Sequence, residues 1–208
     1  MAFNSTGDKL YITNQNGSTY YVVDTIGSPA DFPQWLNNIQ TYSYGGGLNG
    51  HEIIFSPDYS KYFISCDATN EVRVFDTNTH ALLANIPVGT LPQEFSLSLK
   101  KPYLFVTCTE DIINGKRGSV AVIDYNQLIL IKKIHTGTQP HGVAVNDDKD
   151  VVYVANRNVD ANGEAPHHSG ACAGRNGNLT QIDMNTLELV PGYKCELGVN
   201  PYSVAYKK

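Results

Sequence analysis

PHGVAVNDDKDVVYVANRN, residues Pro140 to Asn158, is the stretch whose reading decides the fold. Val143 to Val145 read as a short strand, Asn146 to Asp150 as a tight polar turn, and Val151 to Ala155 as a second strand ending at Asn156. The same phrase occurs three more times upstream. Setting Tyr153 on Phe105, Phe63 and Tyr11 aligns fourteen residues without a gap: VAVNDDKDVVYVAN, FSLSLKKPYLFVTC, IIFSPDYSKYFISC and MAFNSTGDKLYITN. A hairpin repeated at this spacing implies an array of like units.

Each repeat continues in the same way. A third strand follows in TYYVVDT (19 to 25), EVRVFDT (71 to 77), SVAVIDY (119 to 125) and LTQIDMN (179 to 185), running up to a fixed Asp24, Asp76, Asp124 or Asp183. Three of these read Asp-x-Asn, which suits a turn capped by the aspartate side chain. A fourth strand comes next, as IQTYSYGG (39 to 46), LLANIPVG (82 to 89), LILIKKIHTG (128 to 137) and LELVPGYKCELG (187 to 198).

Four short antiparallel strands in ~40 to 50 residues predict an all-β protein, a β-propeller of four-stranded blades. The blades fall at about 1–46, 51–89, 93–137 and 141–198, with PYSVAYKK (201 to 208) as an extra closing strand. A sandwich does not explain a gapless repeat, and no helical period of 3.6 runs through the chain. One helical turn is expected, at Asp31 to Leu36.

The repeat resembles that of the YVTN family of propellers, in which a Tyr-Val-Thr-Asn-like strand end is followed by a Val-x-Val-Ile-Asp strand. The matching residues are Tyr11-Ile12-Thr13-Asn14, Phe63-Ile64-Ser65-Cys66, Phe105-Val106-Thr107-Cys108 and Tyr153-Val154-Ala155-Asn156. The resemblance covers essentially the whole chain. It implies a ring of about seven blades, within the usual propeller range, in a family that includes surface-layer, periplasmic binding, lactonase-like and cytochrome-associated members. It also implies a bacterial periplasmic or cell-surface setting. Met1 aligns with Ile53, Phe95 and Val143, so the chain starts inside a repeat. The expectation is therefore the C-terminal part of a larger ring. A ring completed by self-association through open blade edges, or a small closed ring, are the alternatives.

Composition sets limits on partners. The chain has 208 residues, a net charge of −5, and 17% charged residues. That balance argues against nucleic acid as the main ligand. No apolar run approaches the ~20 residues of a membrane span, and no basic-then-apolar leader opens the sequence.

Topology then locates a functional face. Turns alternate between the two faces of an up-and-down blade, so the link from strand two to three shares a face with the entry to the next first strand. That entry places His51, Gln93, His141 and Tyr202 around the top of a central channel, with Asn14, Cys66, Cys108 and Asn156 ending strand two on the same face. Insertions agree. Ten residues separate Asn14 from Asp24 and Cys66 from Asp76, but sixteen separate Cys108 from Asp124 and twenty-seven separate Asn156 from Asp183. The largest insertion, Arg157 to Gly177, carries His167, His168, Cys172 and Arg175.

The expected function is a binding or interaction scaffold for a small ligand or a protein. Its site residues are His51, Gln93, His141, Tyr202, Asn14, Asn156 and Arg175. One alternative is a redox propeller holding a divalent metal or haem, with His51, His141, His167, His168, Cys66 and Cys108 as nitrogen and sulfur ligands. The plainer reading has His51 and His141 capping strand starts and His167 and His168 solvated; no CxxC, HxxxH or CxxCH spacing is present. A third reading is a lactonase-like hydrolase, with Glu52, Glu94, Glu110 or Asp111 joining His51 in acid–base or metal-assisted work. Cys66 and Cys108 occupy equivalent places on adjacent blades and are expected as two small buried thiols. Cys172 and Cys195 could staple the long insertion as a disulfide, which would need an oxidising compartment.

Overall fold

The computed structural model describes residues 1–25, 38–159, 163 and 175–207. Among them, sixteen strands form four antiparallel sheets of four, and no α-helix is present. The sheets are β1 (Ala2–Phe3) to β4 (Ile39–Ser43), β5 (Gly50–Phe55) to β8 (Leu82–Pro87), β9 (Pro92–Leu97) to β12 (Ile129–Ile134), and β13 (Pro140–Asn146) to β16 (Glu188–Val199). In every sheet spatial order follows chain order, so each repeat is one meander. The expected helical turn at Asp31 to Leu36 lies outside the described residues.

The chain divides into two compact units, Met1–Pro87 and Val88–Lys208, with two sheets in each. Their cores differ in chemistry. The first unit is built on aromatic rings: Tyr11, Tyr20, Tyr44, Tyr62 and Phe75 are all essentially inaccessible. Buried phenols need partners. Tyr20 shares a hydroxyl–hydroxyl bond with Tyr62, Tyr62 reaches His80 Nδ1 at 3.0 Å, and Tyr44 donates to the Asn14 carbonyl at 3.1 Å. Burial pushes the Tyr11 and Tyr44 phenols up to about 12, so they stay neutral. The second unit is aliphatic around Phe105, with Val120, Val122, Val143, Val152, Val154 and Ile182 as the main body.

The turns behave as their residues predict. Asp76, Asp124 and Asp183 each accept backbone N–H bonds two and three residues ahead. Asp24 lacks the following Asn and pairs instead with Lys9 at 2.6 Å.

A second regularity is hidden in the ladders. In the later three sheets the first strand carries a one-residue bulge: Gly50 opposes Cys66 and Ile53 opposes Ile64, Pro92 opposes Cys108 and Phe95 opposes Val106, Pro140 opposes Asn156 and Val143 opposes Val154. Bulges re-aim side chains, and these hold the pairs His51–Glu52, Gln93–Glu94 and His141–Gly142. In the first three strand-two tetrads the third residue, Thr13, Ser65 or Thr107, bonds the backbone of a bulge. Ser65 Oγ accepts from Glu52 N and Thr107 Oγ1 from Glu94 N, both at 3.0 Å. The Thr107 hydroxyl donates onward to the His141 carbonyl at 2.8 Å, and Thr13 to the His51 carbonyl at 2.9 Å. Thr107→Val should therefore cost about 1–3 kcal/mol by stranding two buried backbone groups, while Thr107→Ser should keep most of the stability. Urea midpoints of the two variants check this; equal losses would show that the methyl, not the hydroxyl, matters.

In the later three tetrads the fourth residue is structural, which corrects an expectation. Cys66, Cys108 and Asn156 do not open onto a ligand face: all three are fully buried. Each lies beneath a glycine of the incoming linker. A Cβ on Gly47 would meet Cys66 Sγ at 2.7 Å, one on Gly89 would meet Cys108 Cβ at 2.7 Å, and one on Gly137 would meet Asn156 Cγ at 2.6 Å. Burial raises both thiols to about 12, so Cys66 and Cys108 are protonated packing residues, as the buried-thiol reading held. Asn156 fills its pocket with hydrogen bonds to Thr136, Asn178 and Thr180.

Two other segments differ from the sequence reading. The six-residue insertion of the third sheet is an extension of its hairpin rather than a loop. β10 (Tyr103–Ile113) and β11 (Lys116–Asp124) keep pairing to Ile113↔Lys116, and Asn114 and Gly115 turn the chain at φ 52° and 74°. That dipeptide is the common signal for a two-residue hairpin turn. Residues 201–207 pair with no strand among the described residues; they lie instead against glycines of the fourth sheet.

Candidate functional site

The bulged entries to β5, β9 and β13 gather most of the candidates, and each unit holds its own set. In the first unit, His51 and Asn14 line an open hollow of about 450 Å³ together with Thr13, Gln15 and Tyr21. Burial holds His51 below the ordinary histidine range, so its ring is neutral at pH 7.

The second unit brings three candidates together. The His141 ring is fully buried and lies 3.8 Å, centroid to centroid, from the Tyr202 ring. Its Nδ1–H donates to the Tyr202 carbonyl at 3.0 Å, which leaves the ring lone pair on Nε2 in the neutral form. Glu94 Oε1 stands 3.7 Å from the same Nδ1, with the Glu94 side chain 29% exposed. Burial raises the Glu94 carboxyl above its ordinary value. Gln93 beside it is buried.

Tyr202 reaches this place because two glycines admit the terminal segment. A Cβ on Gly142 would lie 2.6 Å from Ser203 Cα, and one on Gly177 would lie 2.3 Å from Pro201 Cδ. Tyr202 itself remains half exposed, with the Arg157 guanidinium 5.0 Å from its ring centroid. Arg157 is fixed in turn by Asn200 Oδ1 at 2.7 Å. Gln139 ties the neighbouring loops, donating to Glu110 at 3.0 Å and accepting from Val159 N at 3.0 Å. Arg157, Gln139 and Asn200 were not among the candidates from sequence. The one signal for Arg157 was its place directly after the strand-two tetrad.

The other candidates stand apart. Arg175 donates to the Gly163 carbonyl at 2.8 Å. His167, His168 and Cys172 lie outside the described residues, and Cys195 is an exposed thiol on β16. The carboxylates of the hydrolase reading divide. Glu110 is held by Arg117. Burial opposes charge on Asp111, but Lys133 and Ser119 outweigh it and hold the carboxyl below the usual range. Burial raises the Glu94 carboxyl instead. His51 belongs to the first unit and Glu94 and His141 to the second.

No family model matches the chain, and no curated protein matches it. Solved structures do. The hydrazine synthase of Kuenenia stuttgartiensis matches with a TM-score of 0.70 and 17% identity over 94% of this chain and 48% of that one. A putative 6-phosphogluconolactonase of Bacteroides fragilis matches with a TM-score of 0.69 and 14% identity over 97% of this chain and 55% of that one. The chain thus spans about half the length of each. At this identity the likeness shows the fold: the four sheets are blades of a β-propeller. No helix among the described residues is long and apolar enough to cross a membrane.

Proposed function

We propose that this chain is a recognition module that binds a polar ligand at the bulged entries of its first strands, chiefly through Glu94 and Tyr202, with the buried His141 positioning them. The carrying observation is how these groups are held. His141 is fixed by the Tyr202 carbonyl and by its own carbonyl's bond from Thr107. Glu94 is partly desolvated beside it, and the Tyr202 ring offers an apolar face. A rigid scaffold presenting a few aimed polar groups and one aromatic surface is the usual make-up of a binding site. A ligand with a hydrogen-bond donor for Glu94 and a flat or apolar part for Tyr202 fits it.

A thermal-shift screen of small polar metabolites tests this. Ligands that stabilise the wild type should bind at least about tenfold more weakly to Glu94→Gln, about 1.4 kcal/mol, with the ligand-free midpoint little changed. Stabilisation that survives in both Glu94→Gln and Tyr202→Ala sinks the reading.

The hydrolase reading draws its support from the Glu94–His141 pair, a carboxylate with a raised pKa beside an imidazole, and from the printed title of one structural neighbour. Hydrolysis of a sugar lactone that depends on divalent metal and is lost in Glu94→Gln would favour it over simple binding.

A further inference from the structure

We infer that Tyr62 and His80 of the first unit form a proton-coupled redox centre, reached from the surface through Tyr42 and Tyr20, that is oxidised reversibly by a high-potential one-electron oxidant such as an oxidised metal complex. The inference is independent of the ligand site proposed above and uses none of its residues. The rings are in contact along the whole path. Tyr42, half-buried, stacks on Tyr20 with centroids 5.5 Å apart, and Tyr20 meets Tyr62 at 5.8 Å. His80 closes the set, its ring 4.0 Å from that of Tyr42 and its Nδ1 3.0 Å from the Tyr62 hydroxyl.

The repeat shows that packing does not require these groups. Counted from Tyr11, Phe63, Phe105 and Tyr153, the place of Tyr62 is held by Leu10, Leu104 and Val152 in the other blades. Counted from the fixed aspartates, the place of Tyr20 is held by Val72, Val120 and Leu179, and that of His80 by Leu128 and Leu187. His80, Leu128 and Leu187 share one geometry: each has a positive φ, and each donates its N–H to the aspartate carbonyl four residues back. Aliphatic side chains thus fill the fold at all three places. Two phenols and an imidazole there bury polar atoms at a cost that only a closed hydrogen-bond network offsets. That network is a relay, from the Tyr20 hydroxyl to the Tyr62 hydroxyl to His80 Nδ1.

Its chemistry follows from burial, which disfavours the charged form of any group. Burial pushes the Tyr20 and Tyr62 phenols far above their ordinary range and holds His80 below its own. Both phenols therefore keep their protons, and the imidazole is neutral at pH 7 and able to accept one. A phenol so placed gives up its proton only together with an electron. In the oxidation one electron leaves Tyr62 by way of Tyr20 and Tyr42 and reduces the oxidant by one unit. The Tyr62 O–H bond breaks and its proton passes to His80 Nδ1, which leaves a neutral tyrosyl radical beside an imidazolium; re-reduction returns the proton. The Tyr20 hydroxyl donates to the Tyr62 oxygen and steadies the radical. Tyr11, Phe55 and Phe75 surround the Tyr62 ring and shield it from water.

The test uses the full chain with photogenerated tris(bipyridine)ruthenium(III) as the oxidant, read by transient absorption and by electron paramagnetic resonance of freeze-trapped samples. A neutral tyrosyl radical is expected whose lifetime exceeds that of the radical in Tyr62→Phe by about tenfold or more. Tyr62→Phe keeps the ring and removes the relay. His80→Leu, the residue of the third and fourth blades, should slow formation of the long-lived radical by about tenfold or more. Deuterium oxide should slow it in the wild type. Tyr193→Phe, which removes an exposed phenol of the second unit, should leave the lifetime unchanged. The proposal is overturned if the radical of Tyr62→Phe lives as long as that of the wild type, or if Tyr193→Phe shortens the lifetime as much. It is overturned equally if His80→Leu forms the radical at the wild-type rate, or if the wild-type rate is the same in both solvents.

Discussion

Phe105→Ala is expected to destabilise the second unit by about 3–5 kcal/mol, and to lower its thermal midpoint by roughly 10 °C. Phe105 is inaccessible, and its ring is packed among Val120, Val122 and Val143 of two adjoining sheets. Truncation leaves a cavity that β-branched neighbours, stiff at χ1, are poorly able to fill. The repeat provides an internal control, because Tyr153 occupies the equivalent place in the fourth blade but is only half-buried. Tyr153→Ala should cost clearly less. Equal losses in the two variants, read by chemical denaturation, would mean that the repeat position, and not the cavity, sets the cost.

Gly142→Val should detach the terminal segment from the fourth blade. The new side chain would need the space now held by the backbone of Ser203 and Val204. Backbone cannot rotate away as a side chain can, so the segment must move. The contact between the Tyr202 and His141 rings should then be lost, read as the disappearance of their nuclear Overhauser cross-peaks, while the strands of the third blade keep their amide-exchange protection. Tyr202 would leave His141, and ligand-induced stabilisation at the Glu94 site should vanish with it. Gly198→Val is the matched control, since nothing lies within 4 Å of the position a Cβ would take there. If the Gly142 variant keeps the ring contact and its ligand response, the terminal segment is not part of the site.

The architecture was legible in the sequence because each hairpin carries its own signals. The alternation around Tyr11, Phe63, Phe105 and Tyr153 sets which face is buried, and the Asp-x-Asn triplets after the third strands cap their own turns. The extended hairpin of the third blade was legible too, in Asn114-Gly115, but its length looks the same as that of a loop insertion. Roles that depend on contacts between distant segments were not legible. Thr13, Ser65 and Thr107 look like ordinary strand residues, and their service to the bulges appears only when neighbouring strands are paired. Cys66, Cys108 and Asn156 look like loop-facing groups at strand ends. What buries them is the near approach of Gly47, Gly89 and Gly137, and glycine alone does not announce what it makes room for. His141 and Tyr202 were both named from their shared repeat position. That position predicts two separate strand starts, and it conceals the fact that one ring packs on the other.

On this proposal, the terminal segment and the bulged entries to β9 and β13 assemble a single preorganised site in the second unit. Proton nuclear Overhauser contacts between the rings of His141 and Tyr202, measured on selectively labelled protein, test it most directly. Cross-peaks between the two rings, together with a His141 imidazole carrying its proton on Nδ1, are the predicted result. Absence of the cross-peaks, with a His141 ring protonated on Nε2 alone, would contradict this assembly.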